Sequence, residues 1–104
     1  MLLKDRVAII TGGGRGIGRG TALRFAREGA KLALVDIERA HLDETVQELE
    51  ALHPETEHVE LQADVSNSAD VQRLFDATIE RYGRLDILLN NAGIGNPPVP
   101  IVDM

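Results

Sequence analysis

Cysteine is missing from this 104-residue chain, which rules out disulfides, thiolate metal sites and thiol nucleophiles and suits a reducing compartment. Long apolar runs are missing too. None comes near the roughly 20 residues that a bilayer-spanning helix needs, so no membrane association is expected. The opening Met1-Leu2-Leu3-Lys4-Asp5-Arg6 puts charges where a secretory signal requires an unbroken apolar stretch, and a cytoplasmic protein is the expectation. Positive charge is in short supply: 11 Lys and Arg stand against 17 Asp and Glu, for a net charge of -6. Nucleic acids and anionic membranes both demand a basic face, so neither is expected as a partner. The histidines His41, His53 and His58 lack ligand spacing, and no metal site is expected.

What remains is the composition of an ordinary soluble globular protein, 43% hydrophobic and 27% charged, with room for one domain and not two. Short apolar runs punctuate it at Val7–Ile10, Lys31–Val35, His58–Leu61 and Leu85–Leu89. Each is too short for a helix and leads into turn residues, the pattern of buried strands. Helical spacing fills the gaps. Ile17, Ala22, Phe25 and Ala26 recur on one side of a first helix that Gly29 ends, and Leu42, Val46 and Leu49 stripe a charged second helix that Pro54 ends. Val71, Leu74, Phe75, Thr78, Ile79 and Tyr82 keep the helical period through a third, with Ser66, Asn67 or Ser68 as N-cap and Gly83 past its end. Strands alternating with helices predict an α/β, Rossmann-type parallel sheet with right-handed crossovers and helices on both faces. The segment Asn96-Pro97-Pro98-Val99-Pro100 reads as a loop, since its prolines remove backbone donors and fix φ.

Between the first strand and the first helix lies Thr11-Gly12-Gly13-Gly14-Arg15-Gly16-Ile17-Gly18. Gly12 lets the chain turn sharply off the strand, Gly16 removes a side chain where backbone N–H groups approach a pyrophosphate, and Gly18 lets the helix lie close to the sheet. The positive end of the helix dipole faces the same point. Glycines alone can make a flexible loop without a ligand; the strand before and the helix after favour the cradle. A lysine-bearing P-loop is excluded, because Gly18 is followed by Arg19-Gly20 instead of Lys and Ser or Thr.

Asp36 closes the second strand about 18 residues beyond Gly18, near the offset at which a carboxylate accepts hydrogen bonds from the adenosine ribose. A 2′-phosphate would meet that carboxylate, so NAD is the expected cofactor. NADP is the alternative, because Arg15 or Arg39 could grip the extra phosphate. Asp36 could also cap the helix that follows.

With Asp64-Val65 after the third strand and Asn90-Asn91-Ala92-Gly93 after the fourth, the chain resembles the short-chain dehydrogenase/reductase family, whose pattern Thr-Gly-x-x-x-Gly-x-Gly is matched by Thr11, Gly12, Gly16 and Gly18. The resemblance implies that Asp64 accepts from the exocyclic amine of adenine, with Val65 in apolar contact. It implies that Asn90 lies toward the cofactor ribose and that Ala92 and Gly93 keep the floor beneath the dinucleotide flat. Arg15 and Ile17 belong to the same cradle. Two plainer readings remain beside these: Asp64 starting the turn into the next helix, and the asparagines forming a simple turn.

The resemblance also implies a reaction, hydride transfer between a nicotinamide and a secondary alcohol or ketone, and a protein that associates with itself. The family's serine, its Tyr-x-x-x-Lys pair and its helix-borne asparagine follow the Asn-Asn-Ala-Gly element. No catalytic residue is therefore expected here, and residues 1–104 are expected to be the N-terminal part of one NAD(P)-binding domain. Its strand order would be 3-2-1-4, cut before the later strands, with the fourth strand an unprotected edge. Tyr82 is the only tyrosine, and Asp86 stands where a lysine would be needed, so Tyr82 reads as a packing residue. Two other functions stay open: a stand-alone dinucleotide-binding module without catalysis, and a nucleotide fold of another class such as a methyltransferase, which leaves Asn90-Asn91-Ala92-Gly93 unexplained.

Overall fold

A computed structural model describes residues 2–12 and 16–90 in full, and 99–102 by their backbone. Every residue of the first strand, β1 (Val7–Thr11), is buried, because β1 lies inside the sheet with neighbours on both sides. Parallel partners flank it: β2 (Lys31–Asp36) on one side and β4 (Ile87–Asn90) on the other. Beyond β2 lies β3 (His58–Gln62), also parallel. The order 3-2-1-4 and the parallel sense agree with the expectation from the strand and helix pattern.

The fourth strand is not a bare edge. Val99–Val102 forms a further strand, β5, antiparallel to β4, with Pro100 opposite Leu89, so the sheet order is β3-β2-β1-β4-β5. That corrects the loop expected across Val99 and Pro100. Proline is excluded from central strands but admitted on an edge, where its missing N–H breaks no ladder on the outer side. The rest of that expected loop, Asn96 to Pro98, falls outside the described residues.

Strand alternation sends Ala8 and Ile10 to one face of the sheet and Ile9 to the other, and each face is covered by its own helices. On the first face α1 (Gly16–Arg27) and α2 (Arg39–Leu52) bring Ala22, Ala26, Leu42 and Leu49 against Ile10, Leu32 and Leu34. On the second, α3 (Ser68–Tyr82) lays Leu74 over Ile9, Ala33 and Val35. Each fully buried Leu or Ile contributes roughly 1.5–3 kcal/mol. Two apolar residues placed on the core side by their spacing turn outward: Ile17 is 65% and Ile79 48% exposed. In α1 the buried line is Gly18, Ala22 and Ala26; Ile17 sits one residue, hence about 100°, off that line.

Of the three N-cap candidates for α3 the structure selects one, and the glycine expected past its end is in place. Asn67 is the N-cap, its side chain accepting from Asp70 N–H, and Gly83 closes the helix at φ 74°. At the opposite end of the sheet from the C-terminal strand tips, a buried carboxylate fastens β1 to β4. Asp86 Oδ2 accepts from Val7 N–H at 2.9 Å, and Asp86 N–H donates to the Val7 carbonyl, also at 2.9 Å. Oδ1 pairs with Arg84 and lies 3.5 Å from Arg6. The Arg84 hydrogen bond holds the Asp86 carboxyl below the usual carboxylate range, against the opposing pull of burial.

Because the folded group is the stronger acid, the stabilisation is complete above its unfolded value, near 3.9, and fades as pH falls through the lower folded value. Asp86→Asn should cost about 2 kcal/mol at neutral pH by urea denaturation, with both arginines half-exposed and screened by water. The gap to the unmodified protein should close progressively below about pH 4.

Candidate dinucleotide-binding site

Register brings the C-terminal tips of the parallel strands together. Thr11 lies opposite both Val35 and Asn90, and Asp36 opposite Gln62. From β1 the chain proceeds to β2 on one side, while β4 takes the other, so the order reverses at β1, the general ligand position of such sheets. Thr11 Oγ1 donates to Asn90 Oδ1 at 2.8 Å across that point. The Thr-Gly pair was legible in sequence; its bond to Asn90 needed the register.

Gly12 leaves β1 at φ 66° and Gly16 opens α1 at φ 57°, conformations that cost a side-chain-bearing residue about 1–2 kcal/mol. At Gly16 an added Cβ would meet nothing within 4 Å. Among the described residues, then, it is the backbone and not crowding that favours glycine there. Gly18 is buried in α1, in keeping with close packing on the sheet, and Ile17 points away from the core. Arg15, Ala92 and Gly93, expected in the same site, fall outside the described residues.

Asp36 is buried at the tip of β2. Its Oδ1 accepts from Glu38 N–H at 3.0 Å, so it shapes the turn into α2, whose N-cap is Glu38 with no side-chain capping bond. Arg39, a possible grip for a 2′-phosphate, lies 3.1 Å from Asp43 one helical turn on. Gln62 Nε2 donates to the Ile37 carbonyl at 3.1 Å and ties the tips of β2 and β3.

Asp64 and Val65 follow β3 at the same edge of the sheet. Val65, half-buried, packs against the core beneath α3. Asp64 Oδ1 accepts from Ser66 Oγ–H at 2.6 Å and Ser66 N–H at 2.9 Å; the serine hydroxyl, first, holds the carboxyl below its usual range. Asp64 N–H donates to Asp70 Oδ2 at 2.9 Å. Asp70 was not singled out from the sequence, although the spacing Asn67-x-x-Asp70 is a capping-box signal. Asn90 is exposed at the tip of β4.

Tyr82 stands apart from these residues. Its hydroxyl donates to the Leu32 carbonyl at 2.9 Å, at the start of β2, and burial pushes its pKa up to about 12. That is the reverse of what a phenol acting as a base at neutral pH requires. Among the described residues no group of three or more His, Asp or Glu gathers as for a metal ion, and no helix is long and apolar enough to cross a membrane.

A parallel sheet with a glycine-lined helix start and an acidic neighbouring strand tip at its switch point defines a Rossmann-type nucleotide-binding fold. The family model for short chain dehydrogenase matches residues 6–104. The chain therefore belongs to the short-chain dehydrogenase/reductase family. It is 49% identical over 90 residues to levodione reductase of Leifsonia aquatica, covering 86% of this chain and 34% of that protein. A crystal structure of levodione reductase superposes with a TM-score of 0.86 at 47% identity, covering 91% of this chain and 38% of the other. A short chain dehydrogenase/reductase from Burkholderia phymatum in complex with NAD superposes at 0.78 with 40% identity, over 85% and 31% of the two chains. The chain thus spans about a third of the length of the relatives it matches.

Gly16→Ala should separate folding from binding. The positive φ should cost about 1 kcal/mol in urea unfolding, while the affinity for NADH, followed by fluorescence titration, should fall roughly tenfold or more, beyond what lost folding accounts for.

Proposed function

We propose that the chain is the dinucleotide-binding part of an NAD-dependent oxidoreductase that interconverts a secondary alcohol and a ketone on a small-molecule substrate. The observation that carries this reading is the pairing of Gly12 and Gly16, both at positive φ around the start of α1, with the buried Asp36 carboxylate on the adjacent strand tip. Backbone amides and the helix dipole suit a diphosphate, and a carboxylate suits vicinal ribose hydroxyls. Asp64 with Val65 would meet the adenine, and Asn90 with Ala92 and Gly93 would line the path toward the nicotinamide. When bound, the nicotinamide supplies the hydride; this chain's residues bind and orient it.

NAD is favoured over NADP by charge. A 2′-phosphate at the tip of β2 would stand beside the Asp36 carboxylate, and Arg39 is drawn toward Asp43 instead. On this reading no catalytic residue is assigned within residues 1–104, and the commitment of Tyr82, the one tyrosine, to the Leu32 carbonyl supports that. A cytoplasmic homo-oligomer completes the reading. The second reading, a binding module without catalysis, draws on the same observation about Tyr82.

Titration with NADH and NADPH tests the cofactor assignment directly. NADH should bind at least about tenfold tighter, and Asp36→Ala should bring the two within a few-fold of each other. Equal affinities in the unmodified protein would overturn the role given to Asp36. Assaying the full-length gene product for NAD-linked oxidation of secondary alcohols separates enzyme from module.

A further inference from the structure

The turn that carries Asp64 into α3 departs from an ordinary helix start. In a capping box, the side chain three residues into the helix reaches back to the N–H of the N-cap residue. Here Asn67 is the N-cap and accepts from Asp70 N–H at 3.1 Å, but its own N–H is already donated to the Asp64 carbonyl at 3.0 Å. The Asp70 carboxylate is redirected. Its Oδ2 reaches past the cap and accepts from Asp64 N–H at 2.9 Å, while Oδ1 lies 3.5 Å from the Arg73 guanidinium. Arg73 in turn donates to the Gln62 carbonyl at 2.9 Å, which ties α3 to the tip of β3.

Ser66 acts on the other end of the same residue, donating from both N–H and Oγ–H to Asp64 Oδ1. The backbone N–H, the carbonyl and one carboxylate oxygen of Asp64 are therefore all fixed from within the turn. Asn67 and the backbone already start α3, so this degree of restraint exceeds what the helix needs. Among the described residues nothing bonds to the other carboxylate oxygen, Oδ2.

We infer that Ser66 and Asp70 are positioning residues that lock the Asp64 carboxylate as a fixed acceptor, and that they set the site's preference for an adenine over a hypoxanthine dinucleotide. The inference rests on the proposed reading of Asp64 as the adenine-facing group. An ionised carboxylate only accepts hydrogen bonds, so it takes the amine at C6 of adenine and repels the oxygen at C6 of hypoxanthine. Discrimination depends on the carboxylate being unable to turn away. Turning it breaks both Ser66 bonds, and shifting its backbone breaks the Asp70 bond.

The test titrates NADH and its reduced hypoxanthine counterpart by fluorescence into the full chain and into Asp64→Ala, Ser66→Ala, Asp70→Ala and Asp70→Asn. The unmodified chain should prefer NADH about tenfold, and Ser66→Ala and Asp70→Ala should each cut that ratio to about threefold or less. Asp70→Asn should restore the ratio, since its amide oxygen still accepts from Asp64 N–H. A merely structural role would weaken both ligands together and leave the ratio where it was. Retention of the preference in Asp64→Ala, or its absence from the unmodified chain, overturns the adenine reading and the inference with it. Loss in Asp64→Ala with no change in Ser66→Ala and Asp70→Ala leaves the adenine reading standing and overturns the positioning role. Ser66→Ala, which removes one hydroxyl, keeps the test decisive if circular dichroism shows Asp70→Ala unfolded.

Discussion

The placement of β1 between β2 and β4 is the constraint on which the rest depends. β1 is buried on both faces, and a slip of one position would exchange Ile9 and Ile10 between those faces and set each against the other's packing partners. Fixed register then fixes chemistry. Thr11 stands opposite Val35 and Asn90, so the glycine turn, the Asp36 carboxylate and the end of β4 arrive at one edge of the sheet without any residue there having to seek another.

Polar fastenings guard that register at both ends of the β1–β4 pair. At the start, Asp86 exchanges hydrogen bonds with the Val7 backbone under two arginines; at the finish, Thr11 reaches Asn90. The two differ in kind. Asp86 is buried and its removal leaves a cationic pair and a backbone N–H without their acceptor, which makes it a stability element. Thr11 to Asn90 joins neutral groups at the C-terminal tips of β1 and β4. Parallel sheets carry their ligands at the C-terminal end, and the strong charge cluster has been kept at the other.

Much of this was legible in sequence because it rests on periodicity and on residues with a special backbone need. The four parallel strands, the helices on both faces, an N-cap among Ser66, Asn67 and Ser68, and Gly83 past the end of α3 all follow from apolar spacing and turn chemistry. Two kinds of information were not. The first is angular detail: Ile17 and Leu42 look equally apolar in a string, yet one is 65% exposed and the other fully buried, because a helix face is decided by where the sheet lies. The second is partnership across long sequence distance. Nothing in the string ties Asp86 to Val7, and Pro100 argued against a strand that an edge position permits. The candidate site shows the same division, since Gly12, Gly16 and Asp36 stand out by type and position whereas the bond from Asp64 N–H to Asp70 emerges only from the structure, where Asn67 N–H is occupied.

Exposed apolar residues carry the last step. Among the described residues Leu2, Ile17, Ile37, Leu52 and Ile79 are the exposed large hydrophobics, and isolated examples need no explanation. Ile17 and Ile37 are placed differently from the others. One directly follows Gly16 at the start of α1, and the other directly follows Asp36 at the tip of β2, so both belong to the edge of the sheet where the C-terminal strand tips gather. A dinucleotide presents apolar ring faces beside its charged and hydroxyl groups, and sites for such ligands pair apolar walls with a few fixed polar contacts. On the proposed reading, the outward turn of Ile17 is therefore the same design as the glycines beside it: the helix start gives up core burial at one position to offer amides and an apolar surface to a single ligand.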